Sequence, residues 1–184
     1  MGMEGGRIRT GTKARALDNR DGFSDRVTHV KTDKGDIPAD MVILAIGVRP
    51  ETALAKKAGL AIGEKTGAIQ VDDHMRTSDP DIYAAGDCVE CTDRLTGRPC
   101  YVPLGSTANK QGRVVAVNIC GGNESFPGVL GSSICKIFDY CVGRTGLTER
   151  AAADLGYEVI TAMVPGADKA HYMPNSKTLL MKII

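Results

Sequence analysis

The chain lacks an excess of charge of either sign: 23 Lys and Arg stand against 22 Asp and Glu, a net charge of +1. That balance predicts neither attraction to nucleic acid nor binding to a membrane surface. No apolar run approaches the roughly 20 residues needed to span a bilayer. The opening residues, Met-Gly-Met-Glu-Gly-Gly, contain no apolar h-region, so no secretory signal is read there. G-x-G-x-x-G is missing throughout. A dinucleotide site needs that glycine turn so that a helix amino end can meet the pyrophosphate. Trp is absent, whereas Gly is frequent at 22 residues, as many tight turns between short elements would require. What is present is an ordinary globular interior, 42% hydrophobic and 24% charged, and 184 residues allow one sizeable core or two small ones.

Six cysteines without a secretory signal favour free thiols in a reducing compartment, and hence the cytoplasm, over a disulfide framework. Cys88-Val89-Glu90-Cys91 is a C-x-x-C, open to a redox pair or half a zinc site. Zinc would want a second pair, and only Cys100 is near, so free thiols in a loop are the main expectation and no metal site is assigned. Cys120 and Cys135 stand in apolar surroundings and are expected in the core. His29 and His74 are lone histidines, expected at the surface.

Along the chain, residues 7–47 alternate strand-like segments with turns, one at Asp18-Asn19-Arg20-Asp21-Gly22 and one at Lys34-Gly35. An antiparallel unit is expected there, followed by one buried strand, because 41–46 is continuously apolar. A short helix is expected over 51–58, between Pro50 and Gly59. Strands are expected at 68–71 and 82–85, and a longer helix at 103–120 with Leu104, Ala108, Val115 and Ile119 on one face, stopped by Gly121-Gly122. Beyond Phe126-Pro127-Gly128, strands are expected at 133–138 and 141–146. A helix capped by Thr148, with Glu149 in its first turn and Gly156 past its end, comes next. Strands at 158–164 and 178–184 flank a polar loop.

The run Thr77-Ser78-Asp79-Pro80-Asp81-Ile82-Tyr83-Ala84-Ala85-Gly86-Asp87 is the most informative segment. A short apolar stretch enters through Asp-Pro and closes on Gly-Asp. Gly at 86 permits a tight turn, and the Asp87 carboxylate can accept hydrogen bonds from sugar or ribityl hydroxyls at a sheet's carboxyl edge. This segment resembles the second FAD fingerprint of the two-dinucleotide-binding-domain flavoprotein disulfide reductases, the pyridine nucleotide-disulfide oxidoreductases. Two further stretches resemble the same family. Ala39-Asp40-Met41-Val42-Ile43-Leu44-Ala45-Ile46-Gly47-Val48-Arg49-Pro50 is similar to its crossing strand, and Val102-Pro103-Leu104-Gly105-Ser106-Thr107-Ala108-Asn109 to the helix start beside the flavin. Residues 133–146 and Lys169-Ala170-His171-Tyr172 resemble the opening of its dimerisation domain. The likeness is strongest to the branch of coenzyme A-disulfide reductases, NADH oxidases and persulfide reductases.

The resemblance implies an α/β chain that is an internal part of a longer enzyme. Residues 1–47 would trail from an NAD(P)-binding domain, 48–126 would close an FAD-binding domain, and 127–184 would open a dimerisation domain. It implies FAD and NAD(P)H as cofactors, a homodimer, and a disulfide, persulfide or polysulfide of coenzyme A as substrate. Reduction of dioxygen is the alternative on the same frame, and a non-catalytic interaction remnant is a third reading. The glycine turns and the redox cysteine would lie outside this chain. Thr77, Ile82, Ala85, Gly86, Asp87, Pro103, Leu104 and Gly105 would contact FAD, with Asp87 on the ribityl chain. Asn109, Lys169 and His171 would bind the coenzyme A substrate, and Tyr172 would serve the thiol site as catalytic proton donor. Arg113 is expected as a solvated helix residue.

Overall fold

The computed structural model describes residues 7–19 and 26–184, and the chain divides into two compact units, residues 1–47 and 48–184. In the first, β1 (Ala14–Asp18), β2 (His29–Thr32) and β3 (Ile37–Pro38) form an antiparallel sheet in the order β1-β2-β3. Leu17 stands opposite Val30, and Val30 opposite Ile37, giving the sheet one apolar row. Lys31 Nζ lies 2.8 Å from the Asp18 carboxylate across the first pair. The expected antiparallel unit is therefore present. Its turn over 18–22 lies partly outside the described residues.

The strand expected at 41–46 does not form. No ladder includes these residues, and Met41, Ile43, Leu44 and Ile46 are 70–91% exposed. A continuously apolar strand needs a hydrogen-bonded neighbour and cover on both faces, and the described residues supply neither.

In the second unit, the stretches expected as strands at 68–71 and 82–85 reduce to single bridges. Ile69 bridges Ile62 and Val89, and Tyr83 bridges Arg76. Ordered elements are α1 (Ala53–Lys57), β4 (Cys91–Thr92), β5 (Pro99–Cys100) and α2 (Gly105–Ile119). After these come β6 (Ser133–Ile137), β7 (Tyr140–Arg144), α3 (Glu149–Asp154), β8 (Ala162–Ala167) and β9 (Thr178–Ile183). Strand β8 starts four residues later than the expected 158.

All three helices stop in the same way. Gly59, Gly121 and Gly156 follow the C-caps with φ of 76°, 87° and 85°. In each case the next residue's N–H reaches back five positions, as Gly122 N–H does to Val117 O at 2.9 Å, and the glycine's own N–H bonds three back. These are the paired bonds of a Schellman stop, which favours glycine because the residue is left-handed. Thr148 caps α3 as expected, its hydroxyl accepting from the Ala151 N–H at 3.2 Å.

Two small cores hold the unit. Met75, Cys91, Val114, Phe126 and Val129 form one; Ala55, Ile69 and Val89 form the other. The face that α2 buries is offset from the expected one: Thr107, Gln111, Val114 and Asn118 point inward, Leu104, Ala108 and Val115 are half-buried, and Ile119 is 63% exposed. Gln111 and Asn118 can take the inward face because their amides find partners. Asn118 Nδ2 donates to the carbonyls of His74 and Glu124, both at 2.9 Å, and its Oδ1 accepts from Glu124 N–H at 2.7 Å. Cys120 and Cys135, expected in the core, are exposed. Cys120 sits on the helix's solvent-side end, and every residue of the β6–β7 hairpin, including Cys135, is open to solvent. Hairpin β8–β9 is likewise exposed on all its residues.

Candidate functional site

The segment 77–87 begins in a tight turn. Ile82 N–H donates to Asp79 O at 3.1 Å and Thr77 N–H to Ile82 O at 2.9 Å, which places Pro80-Asp81 at the corner. Thr77 Oγ1 accepts from Asp79 N–H at 3.1 Å, so the turn is closed from both sides. The chain then runs to a second turn at Gly86, where φ is 93° and Val89 N–H returns to Gly86 O at 3.2 Å. That φ favours glycine, whereas space does not demand it: a Cβ would stand at an ordinary 3.8 Å from the Ala108 Cβ.

This second turn is fastened to α2. Gly86 N–H donates to Gln111 Oε1 at 2.9 Å, and Gln111 Nε2 donates to Cys91 Sγ at 3.2 Å. Gln111 is fully buried. Tyr101 Oη donates to the Asp87 carbonyl at 2.8 Å. Desolvation first, then the Asp87 charge, holds the Tyr101 phenol above its ordinary value, so it stays a donor. The Asp87 side chain itself faces solvent.

Pro103, Leu104 and Gly105 open α2 alongside. Leu104 is the N-cap in an extended conformation, and no side chain accepts from the first turn. The amides of Gly105, Ser106 and Thr107 are thus unpaired among the described residues, at the positive end of a 15-residue helix. Leu104, Gly105 and Ser106 line a cavity of about 670 Å³ shared with the β6–β7 hairpin. Asn109 is exposed on α2, just beyond its first turn. The structure therefore fastens Gly86 to α2 through Gln111, close to Ala108, with Ala85 before it and the exposed Asp87 after it. Thr77 and Ile82 form the turn that leads there.

Lys169, His171 and Tyr172 lie apart, in the loop between β8 and β9. Asp168 closes that loop: Lys177 N–H donates to its carboxylate at 2.8 Å, which lowers its pKa below the ordinary value. Tyr172 is 90% exposed, and among the described residues no hydrogen bond joins it to the Asp87 turn. Both Cys88 and Cys91 are free thiols, with Cys88 Sγ donating to Ala85 O at 3.5 Å. Among the described residues no group of His, Cys, Asp and Glu side chains could hold a metal ion, and no helix is long and apolar enough to cross a membrane.

A left-handed glycine turn bonded through Gln111 to a 15-residue helix, among short strands and helices, defines a mixed α/β protein. Residues 2–112 match the family model described as pyridine nucleotide-disulphide oxidoreductase, and the chain belongs to that family. It is 45% identical over 158 residues to the NAD(P)H sulfur oxidoreductase (CoA-dependent) of Pyrococcus abyssi, covering 86% of this chain and 35% of that one. An NAD-dependent persulfide reductase from A. fulgidus has a similar solved structure. It superposes with a TM-score of 0.84 at 44% identity, covering 93% of this chain and 31% of that one. An FAD-dependent pyridine nucleotide-disulphide oxidoreductase from Desulfovibrio vulgaris follows at TM-score 0.77 and 46% identity, over 85% and 38%. The chain spans about a third of the length of these proteins.

Gln111 was not among the residues singled out by sequence reasoning. A glutamine inside a helix is ordinarily solvated, and nothing in its neighbours signals that its amide would be buried against a glycine turn.

Proposed function

We propose that the chain supplies part of an FAD-dependent NAD(P)H oxidoreductase that reduces a disulfide, persulfide or polysulfide of coenzyme A, working in an enzyme of its relatives' length. The observation that carries this reading is the Gly86–Asp87 turn fastened through Gln111 to α2, the helix whose first-turn amides are open. The donor set fits a flavin: an exposed carboxylate offers acceptors for ribityl hydroxyls, and the unpaired amides of the helix fastened to its turn offer donors for an electron-rich ring. Bound FAD would accept a hydride from NAD(P)H and pass two electrons to a sulfur–sulfur bond.

The chain's own residues divide that work. Asp87 anchors the ribityl hydroxyls, while Leu104 and Gly105 present backbone amides that stabilise negative charge. Thr77, Ile82, Ala85 and Gly86, with Pro103 ahead of α2, complete the flavin contact. Asn109 extends the contact toward the coenzyme A moiety. Lys169 and His171 serve its phosphates from the β8–β9 loop of a second subunit, and Tyr172 gives its proton to the departing thiolate. A homodimer in a reducing cytoplasm suits free thiols at all six cysteines.

In an enzyme of the relatives' length, Asp87→Ala is expected to weaken FAD retention at least about tenfold, since a charge-assisted hydrogen bond is lost. Flavin absorbance after gel filtration measures it. Full retention would remove the role given to Asp87 and with it the main support for the flavin site. Oxygen consumption in the absence of a sulfur acceptor separates sulfur reduction from dioxygen reduction on the same frame.

A further inference from the structure

We propose that a basic groove between α2 and the loop at 124–128 is a binding site for a nucleoside phosphate. The groove encloses about 670 Å³, within the range of roughly 300–1,000 Å³ typical of small-molecule sites. Lys110 and Arg113 reach it from adjacent turns of α2, and Arg94 from the β4–β5 connection. None of the three has a carboxylate within salt-bridge distance or a side-chain hydrogen bond among the described residues. A single acid, Glu124, also lines the groove. Three like charges converging on one cavity repel one another unless an anion joins them, and guanidinium groups pair with phosphate oxygens two at a time.

The remaining wall is apolar, from Val117, Phe126 and Pro127. A bare phosphate would leave most of that volume unfilled, whereas a nucleoside attached to the phosphates would cover the apolar side. Arg94 and Lys110 also line an adjoining cavity of about 180 Å³ that extends to Ser106 and Thr107 at the start of α2. Arg94 and Lys110 thus sit where the two spaces meet, and Arg113 lines the larger one.

The groove is fixed in place before any ligand arrives. Glu124 is tied through its backbone to Asn118, and Phe126 N–H donates to Asp73 O at 2.7 Å. Gly128 has φ of 84°, and a Cβ on it would fall 2.3 Å from Thr92 O, so the loop lies tight on β4. Arg94 N–H donates to Val129 O at 2.9 Å, which sets the base of its side chain. A wall ordered in advance spares the ligand the cost of ordering it.

The inference does not rest on the flavin reading. Its test is calorimetric titration of the 184-residue chain with ADP, with coenzyme A and with inorganic phosphate, in natural form and as Lys110→Gln/Arg113→Gln. ADP is expected to bind saturably, and the double variant to bind it roughly 10- to 100-fold more weakly, with circular dichroism unchanged. Inorganic phosphate is expected to bind at least about tenfold more weakly than ADP. Binding of ADP should survive Asp87→Ala, which separates this site from the flavin contact. Tighter binding of coenzyme A than ADP, lost in the same double variant, would also support the site and make the adenine end of coenzyme A its source of nucleotide. No saturable binding of ADP or coenzyme A, equal binding by the double variant, or phosphate binding as tightly as ADP would overturn the proposal.

Discussion

The side-chain amide of Gln111 spans from the Gly86 N–H to the Cys91 thiol, so one buried residue links the Gly86 turn, α2 and a core. Truncation removes both bonds, strands the Gly86 N–H and opens a cavity. Gln111→Ala is expected to cost about 2–4 kcal/mol of stability, measured as the shift in a urea midpoint at low protein concentration. A loss under about 1 kcal/mol would show that the Gly86 turn holds without it. Cys100 offers a second test at this scale. It stands opposite Cys91 in the β4–β5 pair, and burial first, then the Cys91 thiol, pushes its pKa from 9.0 up to about 11. Between those values an unfolded chain sheds the proton and the folded one keeps it. Stability from this group is therefore complete below pH 9 and lost as pH rises toward about 11. Iodoacetamide should alkylate Cys100 in the folded chain along a titration centred near 11; a curve centred at the ordinary 9.0 would refute the burial effect.

At the scale of elements, ends were more legible than interiors. Gly59, Gly121 and Gly156 and the cap at Thr148 mark their helix boundaries in the sequence, because those positions answer to local backbone chemistry alone. The inward face of α2 was not legible. Leu104, Ala108, Val115 and Ile119 follow an apolar pattern, but tertiary hydrogen bonds from Gly86 and Glu124 turn Gln111 and Asn118 inward instead. Likewise 41–46 has the composition of a buried strand, yet strands exist only in pairs, and pairing is a property of neighbours. The Gly-Asp turn was legible because it combines glycine's φ with a carboxylate in one dipeptide. The β8–β9 hairpin presents Tyr172 on a loop closed by Asp168 and Ser176, with the ring almost wholly in solvent. In an enzyme of the relatives' length, Tyr172→Phe is expected to slow turnover of coenzyme A disulfide by on the order of 10²–10⁴. Flavin reduction by NAD(P)H should keep its rate in stopped flow. Equal slowing of both steps would reassign the loop to a structural role.

For the whole molecule, exposed apolar surface sets the behaviour. Met41, Ile43, Leu44 and Ile46 fall within six residues of the first unit, each at least 70% exposed, a density that single-chain proteins rarely leave open to water. The two hairpins add to it, since β6–β7 and β8–β9 are two-stranded sheets whose every residue is exposed and whose outer edges carry unpaired backbone groups. Both features favour association by the same physics: an apolar strip gains by leaving water, and an open strand gains by finding a partner ladder. The 184-residue chain on its own is therefore expected to self-associate, and the mean mass in sedimentation velocity should rise with concentration. Replacing Ile43 and Ile46 by Lys should shift that distribution toward the monomer, because each charge must be desolvated before the strip can be covered. A single monomeric boundary at every concentration would show that water meets this surface without penalty, and the apolar strip would then need no partner at all.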